Sequence, residues 1–421
     1  MVRLHFQDIQ FAEEKDRVRG IFLKNFFFEI KKSELSRLGK YEIKNSDLLI
    51  EGNEQIVKRN FNTLLEQKLK ELRSFQGKEA IYIYEGLIPL IGSLYFGIVD
   101  RNTNIIEIRP ITGCNLNCIF CSVDLCKRER DFVVSCDFLA KEAEKLAKLK
   151  LEKVKTLRNM GISGAQKSED SLGIEIHINT QGEPLLYAPL AELIKKVKRI
   201  KGVKTISIDT NGTLLTEEKV DELVKAGLAR LNISLNAFSQ ETASKIASVN
   251  YPIENVKKMC KYIAKKCDIL LAPVWLQGIN DKDIEQLIKF SLALKKLRPQ
   301  QKVPLIGIQN FLEYQYGKKP TKAIPFEDFF EKLKDLEKKY KLKLKLSRED
   351  FNIKIANVLK KPLENDEFTK VKLVCKGMFR NEMLGFAGER IISVRTDAKE
   401  GKIIGVKITR SKYNVFYGEE I

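Results

Sequence analysis

Cysteine is missing from the first 113 of the 421 residues, and histidine occurs only twice, at His5 and His177. No signal-peptide core opens the chain, since Met1-Val2-Arg3-Leu4-His5-Phe6-Gln7-Asp8 has no apolar run. The most apolar window, Leu87 to Val99, is too short to span a bilayer and is broken by Pro89, Gly92 and Gly97. Low-complexity tracts are absent. These absences lead to the expectation of a cytoplasmic protein with no membrane partner. The eight cysteines do not form a disulfide scaffold, because three are clustered and five are scattered along a long chain. Acidic residues run short, 56 against 75 Lys and Arg, leaving a net charge of +19. That excess suits a polyanion such as nucleic acid. A lysine-rich, thermophile-like composition would account for it equally.

The length allows two or three domains. Residues 1–100 read as an α+β extension, with helical periodicity from Glu54 to Phe75 and β-structure at Ala80–Tyr84 and Ser93–Val99. From about 101 to 310 strands and helices alternate, which implies a parallel sheet covered by helices in a core domain spanning 101–347. The expected strands are Ile105–Pro110, Ile174–Asn179, Thr205–Asp209, Leu231–Asn236, Ile269–Trp275 and Pro304–Gln309. In the second, isoleucines occupy one face and Glu175, His177 and Asn179 the other. Polar residues on one face of successive parallel strands suggest a barrel with a polar ligand in its lumen. Glu175, His177, Asn179 and Gln309 are therefore candidate substrate contacts, with hydrogen-bonded lumen filling as the alternative. A helix is expected over Phe326–Tyr340 and a half-exposed strand over Lys341–Leu346. From 368 to 421 short runs broken by glycine suggest a small all-β barrel.

The most informative stretch is Gly113-Cys114-Asn115-Leu116-Asn117-Cys118-Ile119-Phe120-Cys121. Three thiolates on one loop can each take a corner iron of a [4Fe–4S] cube, leaving the fourth iron open. A zinc knuckle is the alternative, although zinc sites favour paired CxxC units. The CxxxCxxC spacing resembles the radical S-adenosylmethionine (SAM) superfamily. The resemblance implies a partial (β/α)6 barrel, an α/β fold, with a [4Fe–4S] cluster on Cys114, Cys118 and Cys121. It also implies SAM on the open iron and Phe120 against the adenine. Further matches follow in the family's order over about 200 residues. Gly182-Glu183-Pro184 resembles the segment that holds the SAM ammonium, with Gln181 in place of a first glycine. Thr210-Asn211-Gly212 resembles a Thr-Asn-Gly segment. Arg230 to Ala237 resembles a strand whose polar groups touch the SAM ribose and carboxylate, implying Ser234 and Asn236, the latter where aspartate is common. Gly278-Ile279-Asn280-Asp281 resembles a turn that meets adenine through Ile279.

The segment Gly401-Lys402-Ile403-Ile404-Gly405-Val406-Lys407-Ile408-Thr409, followed by Tyr417-Gly418, resembles a TRAM domain, a small RNA-binding barrel. From Lys370 to Ile421 eleven Lys/Arg face six Asp/Glu, a charge of +5. Arg390, Lys402, Lys407 and Arg410 are the candidate phosphate contacts, and Tyr413 and Tyr417 the candidate stacking rings. A plain β-barrel with solvated lysines is the alternative. A radical SAM core with a TRAM-like tail resembles the tRNA methylthiotransferases, whose N-terminal domain carries three further cysteines. Their absence here leads to the expectation of one cluster and about four irons. Of the other cysteines, Cys260 and Cys267 read as core thiols, Cys126 and Cys136 are unassigned, and Cys375 is a candidate methyl carrier. The expected function is radical SAM modification of RNA, chiefly tRNA, by methylation or a related insertion. RNA and an external one-electron donor are the expected partners, and DNA is not. Chemistry on a small molecule, peptide or lipid is the enzymatic alternative, and a non-catalytic RNA-binding iron–sulfur protein the other.

Overall fold

In the computed structural model, which describes residues 1–44, 46–159 and 172–421, the isoleucine-rich runs pair side by side. Strands Ile105–Arg109, Ile174–Ile178, Val203–Thr210, Arg230–Ile233 and Asp268–Leu271 form one parallel sheet in that order. Gly97–Asp100 closes its near edge antiparallel. The sixth position is irregular. Leu271 exchanges backbone hydrogen bonds with Leu305 and Gly307, and a two-residue ladder then joins Val274–Trp275 to Gln309–Asn310. The alternation seen in the sequence persists, but at this edge only short pieces satisfy the ladder.

Amphipathic helices cover the sheet. Leu190–Lys198 buries Leu190, Leu193, Ile194 and Val197, and Ile253–Lys266 buries Val256, Met259, Cys260 and Ile263. Glu217–Ala226 is capped by Thr216, whose side chain accepts from the Lys219 amide, and it ends on Gly227 at φ +118°. The fold is α/β: a partial (β/α)6 barrel with an N-terminal α+β extension and a small closed all-β barrel at the C-terminus.

The N-terminal part contains a three-stranded sheet and a six-stranded one. The larger sheet recruits Arg130–Val134, parallel to Glu79–Ile83, from beyond the cysteine loop. Val133 also bridges to Ile111, so the extension is stitched to the end of the first core strand. The expected helix from Glu54 stops at Leu69, because Arg73–Ser74 leaves it to pair with Phe26 and Phe27. The expected strand at Lys341–Leu346 does not form. The amides of Leu344 and Lys345 donate to the Glu337 carboxylate instead, at 2.6 and 2.9 Å, while Leu344 is buried. The helix Phe326–Tyr340 forms as expected. Among the described residues no helix is long and apolar enough to cross a membrane.

Five strands, Phe368–Lys376, Glu382–Ala387, Arg390–Arg395, Ile403–Arg410 and Phe416–Glu420, close the C-terminal barrel around Val371, Leu373, Ile392, Val394, Val406, Ile408 and Phe416. Met378, Phe379, Leu384 and Ile391 instead join the main core. Gly92 sits at the joint with φ +133°, accepting from the Phe416 amide at 2.9 Å. A Cβ at position 92 would stand 2.2 Å from the Ile391 carbonyl oxygen, so only glycine lets the barrel dock this closely.

Candidate functional site

The cysteine loop leaves the first core strand at its C-terminal end, the usual place for ligands in parallel α/β sheets. Its backbone is held from several sides. The Asn117 and Ile119 amides donate to Ala247 and Ile246 at 3.1 and 2.9 Å. Lys318 Nζ donates to the Asn117 side chain at 2.6 Å, and Gln76 Nε2, from the N-terminal sheet, donates to the Cys114 carbonyl at 2.6 Å. The three thiols are half-buried neighbours. Burial pushes Cys114 and Cys118 up to about 12, and nearby acidic groups, including the other thiols, add to it. The loop thus gathers thiol groups whose ionised forms need a cationic centre. Among the described residues no three His, Cys, Asp or Glu side chains converge tightly enough for a single ion. A cube takes each thiolate on a different iron, a wider spacing.

Gly182 lies against this loop. A Cβ there would meet the Gly113 and Thr112 carbonyl oxygens at 2.3 and 2.5 Å, which explains the glycine without any unusual φ. The Glu183 amide donates to the Gly113 carbonyl at 2.8 Å. The Glu183 carboxylate is buried and accepts from Leu185 N, Thr210 Oγ1 and Asn211 N at 3.0, 2.7 and 2.8 Å. Burial raises its pKa to about 7 against those hydrogen bonds. No described cation bonds it, so a ligand ammonium would complete its surroundings. Pro184 starts the following turn. Asn211 Nδ2 donates to Asn115 Oδ1 at 2.9 Å, tying the third strand to the cysteine loop. Thiols, buried carboxylate and tight glycine contact together fit a cluster with SAM beside it.

The other expected residues divide. Ser234 and Phe120 are partly exposed near strand ends or on the loop. Asn236 is committed to structure, accepting from Val274 N at 2.9 Å and donating to Ser234 O at 3.0 Å. Ile279 lies in a turn braced by the buried Asn280, which accepts from Leu276 N and donates to Asn236 O. Glu175 and His177 belong to a closed ring of six lumen side chains. His177 bonds Ser207, Ser207 and Arg230 donate to Glu175, Arg230 donates to Asn232, and Asn232 donates to Asp209, which pairs back to His177 at 3.3 Å. Burial opposes a charged imidazole here, but Asp209 outweighs it and raises the His177 pKa. Glu175 accepts both bonds on one carboxylate oxygen, Oε1, which ties it to the ring as a positioning group. Asn179 lies higher, 3.4 Å from Glu107. Gln309 is exposed on the irregular sixth strand.

Between this end of the core and the C-terminal barrel lies a cavity of about 750 Å³. Arg410, Tyr413 and Tyr417 line it. Arg390 does not. It is buried, donating to Asn414 Oδ1 and the Lys360 carbonyl at 3.2 and 3.1 Å, which corrects its expected surface role. Lys402 is exposed elsewhere on the barrel, and Lys407 pairs with Asp366 at 2.9 Å. Cys375 is buried in the main core, and burial pushes its thiol up to about 12. Cys260 and Cys267 are buried as expected. The sequence reading missed Arg128, a fully buried partner of Asp131 that donates to the Gln181 carbonyl at 2.7 Å. It also missed the Tyr314–Lys318 segment that folds back on Cys121. Asp131 is only three residues from Arg128, but the Gln181 and Cys121 contacts lie far off in sequence, and no local motif marks them.

The Radical SAM superfamily model matches residues 108–291. The chain belongs to the radical SAM superfamily. Its cofactors are those of the family, a [4Fe–4S] cluster and SAM. Over 369 residues it is 35% identical to the uncharacterized protein MJ0103 of Methanocaldococcus jannaschii, covering 81% of each chain. It is 28% identical over 198 residues to a GTP 3',8-cyclase of Clostridium botulinum, covering 45% of this chain and 53% of the cyclase. The match thus spans about half the length of that enzyme. Among solved structures, Streptococcus suis SuiB bound to precursor peptide SuiA matches with a TM-score of 0.41 at 18% identity, over 82% of this chain and 72% of that one. Archaeal TYW1 matches with a TM-score of 0.35 at 18% identity, over 62% and 80%.

Proposed function

We propose that this protein is a cytoplasmic radical SAM enzyme that modifies RNA, with tRNA as the substrate class. Cys114, Cys118 and Cys121 hold the cluster. Glu183 takes the SAM ammonium, Gly182 and Pro184 shape that turn, and Phe120 and Ile279 flank the adenine. Asn211 and Ser234 supply polar contacts, and Asn236 positions the fourth and fifth strand ends. A cluster bound there and reduced by an external one-electron donor would supply the electron for cleaving SAM to methionine and a 5′-deoxyadenosyl radical. The protein's own part is to orient SAM, to exclude water from the loop, and to present the substrate carbon.

One observation carries the RNA reading: a basic closed barrel shares a cavity with the core beside the cysteine loop. A TRAM-like role for residues 368–421, with Lys402 and Lys407 as outlying phosphate contacts, is part of the proposal. The full chain should bind tRNA with an affinity that falls steeply with salt. Neutralising several phosphates gives a log–log slope of roughly −0.7 to −0.9 per phosphate contact. Filter binding between low and physiological salt measures it, and a flat profile would reject the phosphate-binding barrel.

A further inference from the structure

The cavity between core and barrel is lined by cations that no described carboxylate pairs, two of them lying over tyrosine rings. Arg380, Arg395, Arg410 and Lys412 all line it, are exposed, and have no carboxylate partner among the described residues. Elsewhere in the chain basic side chains are commonly paired, as in Lys407–Asp366, Arg298–Asp268 and Lys339–Glu285. Arg101 and Arg109 add to the wall, both sharing Glu107. The acidic wall residues are Glu382, which accepts from Tyr95 OH at 2.7 Å, and Glu419; both stand cross-strand from Arg395 without forming an ion pair with it. Three separate pieces of chain bring these four cations to one wall, which leaves mutual repulsion that an anion would relieve.

Flat rings stand among these charges. Tyr316 stacks on Phe379 with centroids 4.2 Å apart and planes 19° apart. Arg101 and Lys412 approach the Tyr413 ring, 5.6 and 5.3 Å from its centre. Its backbone is strained, at φ 59°, ψ 34°, a region a bulky side chain seldom adopts. Asn414 follows at φ 54°, and the strain is held by the buried Arg390 and by Asn414 donating to the Leu359 carbonyl at 3.0 Å. Arg390 is therefore a positioning residue for this loop. At the other end of the cavity, Thr180 Oγ1 and Gln181 Oε1 are buried without a hydrogen-bond partner. They immediately precede Gly182, and Ser122 of the same cavity immediately follows Cys121.

We propose that this cavity captures one phosphorylated nucleoside, its phosphate on Arg380, Arg395, Arg410 and Lys412, its base among the tyrosines, and its reactive end beside Thr180 and Gln181. This rests on the radical SAM reading above and adds the substrate site and its stoichiometry. A cavity of about 750 Å³ lies in the range of small-ligand pockets, roughly 300–1,000 Å³, and has no room for a duplex. An RNA substrate therefore enters as a single unstacked nucleotide, with the flanking chain over the barrel. Arginine's planar fork matches phosphate oxygens, and the ring faces accept any base.

The test measures binding of two probes, tRNA and 5′-GMP, to the full-length wild type and to an Arg380→Ala, Arg395→Ala, Arg410→Ala triple variant. Tyr413→Ala and an outlying Lys261→Ala complete the set. These side chains are exposed or at the cavity wall, and circular dichroism checks that each variant is folded. Removing each arginine should cost about tenfold in affinity. Tyr413→Ala should lose about tenfold, and Lys261→Ala should match the wild type. Wild-type tRNA affinity in the folded triple variant would overturn the cavity while leaving RNA modification standing. Binding of 5′-GMP alone, lost in the triple variant, would support the cavity and move the substrate from RNA to a free nucleotide. Binding of neither probe by the wild type would overturn both.

Discussion

In a Cys114→Ala, Cys118→Ala, Cys121→Ala variant, iron-reconstituted protein should hold no cluster and release 5′-deoxyadenosine only at the no-enzyme background. The loop presents three thiols within eight residues, which would leave the fourth iron of a bound cube open. Among the described residues Cys260, Cys267 and Cys375 are buried core thiols, and no other group of three His, Cys, Asp or Glu side chains converges to replace the loop. Wild-type protein should contain about four irons per chain. Cys126→Ser should keep both iron and cleavage, since that thiol is exposed beyond the loop. Iron analysis with product chromatography decides this. Product from the triple variant would sink the assignment, and close to eight irons would require a second cluster.

The second large effect concerns stability. Lys150 and Asp100 form an ion pair 2.7 Å long with both side chains fully buried. Asp100 also accepts from the amides of Asn102 and Leu359, and Lys150 donates to the Asn357 carbonyl. One pair thus joins the helix Cys136–Asn159, the edge strand Gly97–Asp100 and the segment leading to the C-terminal barrel. Burial holds Lys150 below the usual lysine range, against the pull of Asp100. The pair therefore contributes position more than surplus stability, but a widowed charge is costly. Lys150→Met should destabilise by about 3–5 kcal/mol. Adding Asp100→Asn should recover part of that loss, because the uncompensated charge is gone. Urea denaturation of both variants measures it, and a Lys150→Met loss under about 1 kcal/mol would contradict the buried-pair account.

Much of this architecture was legible because strands with isoleucine on one face and polar groups on the other announce a lined barrel, and Ile174–Asn179 behaves so. The cysteine loop and Gly182-Glu183-Pro184 were legible for a different reason, in that their chemistry is compressed into a few consecutive residues. Lys341–Leu346 misled because alternation reports faces, whereas a strand also needs a neighbour, and here Glu337 takes the amides. Arg390 misled because charge suggests solvent, while its donors serve the strained Tyr413 loop from inside. The cavity was the hardest to foresee. Arg380, Arg395 and Lys412 are ordinary surface residues in sequence, and only barrel closure puts them on one wall. Their signal was faint: four arginines between 380 and 410 in a lysine-rich chain.

On the proposed function, SAM cleavage here serves RNA. Reconstituted wild-type protein, with dithionite and SAM, should release 5′-deoxyadenosine faster when unmodified tRNA is added, and a digest of that tRNA should contain one nucleoside of altered mass. Equal release with and without tRNA, together with an unchanged digest, would contradict it.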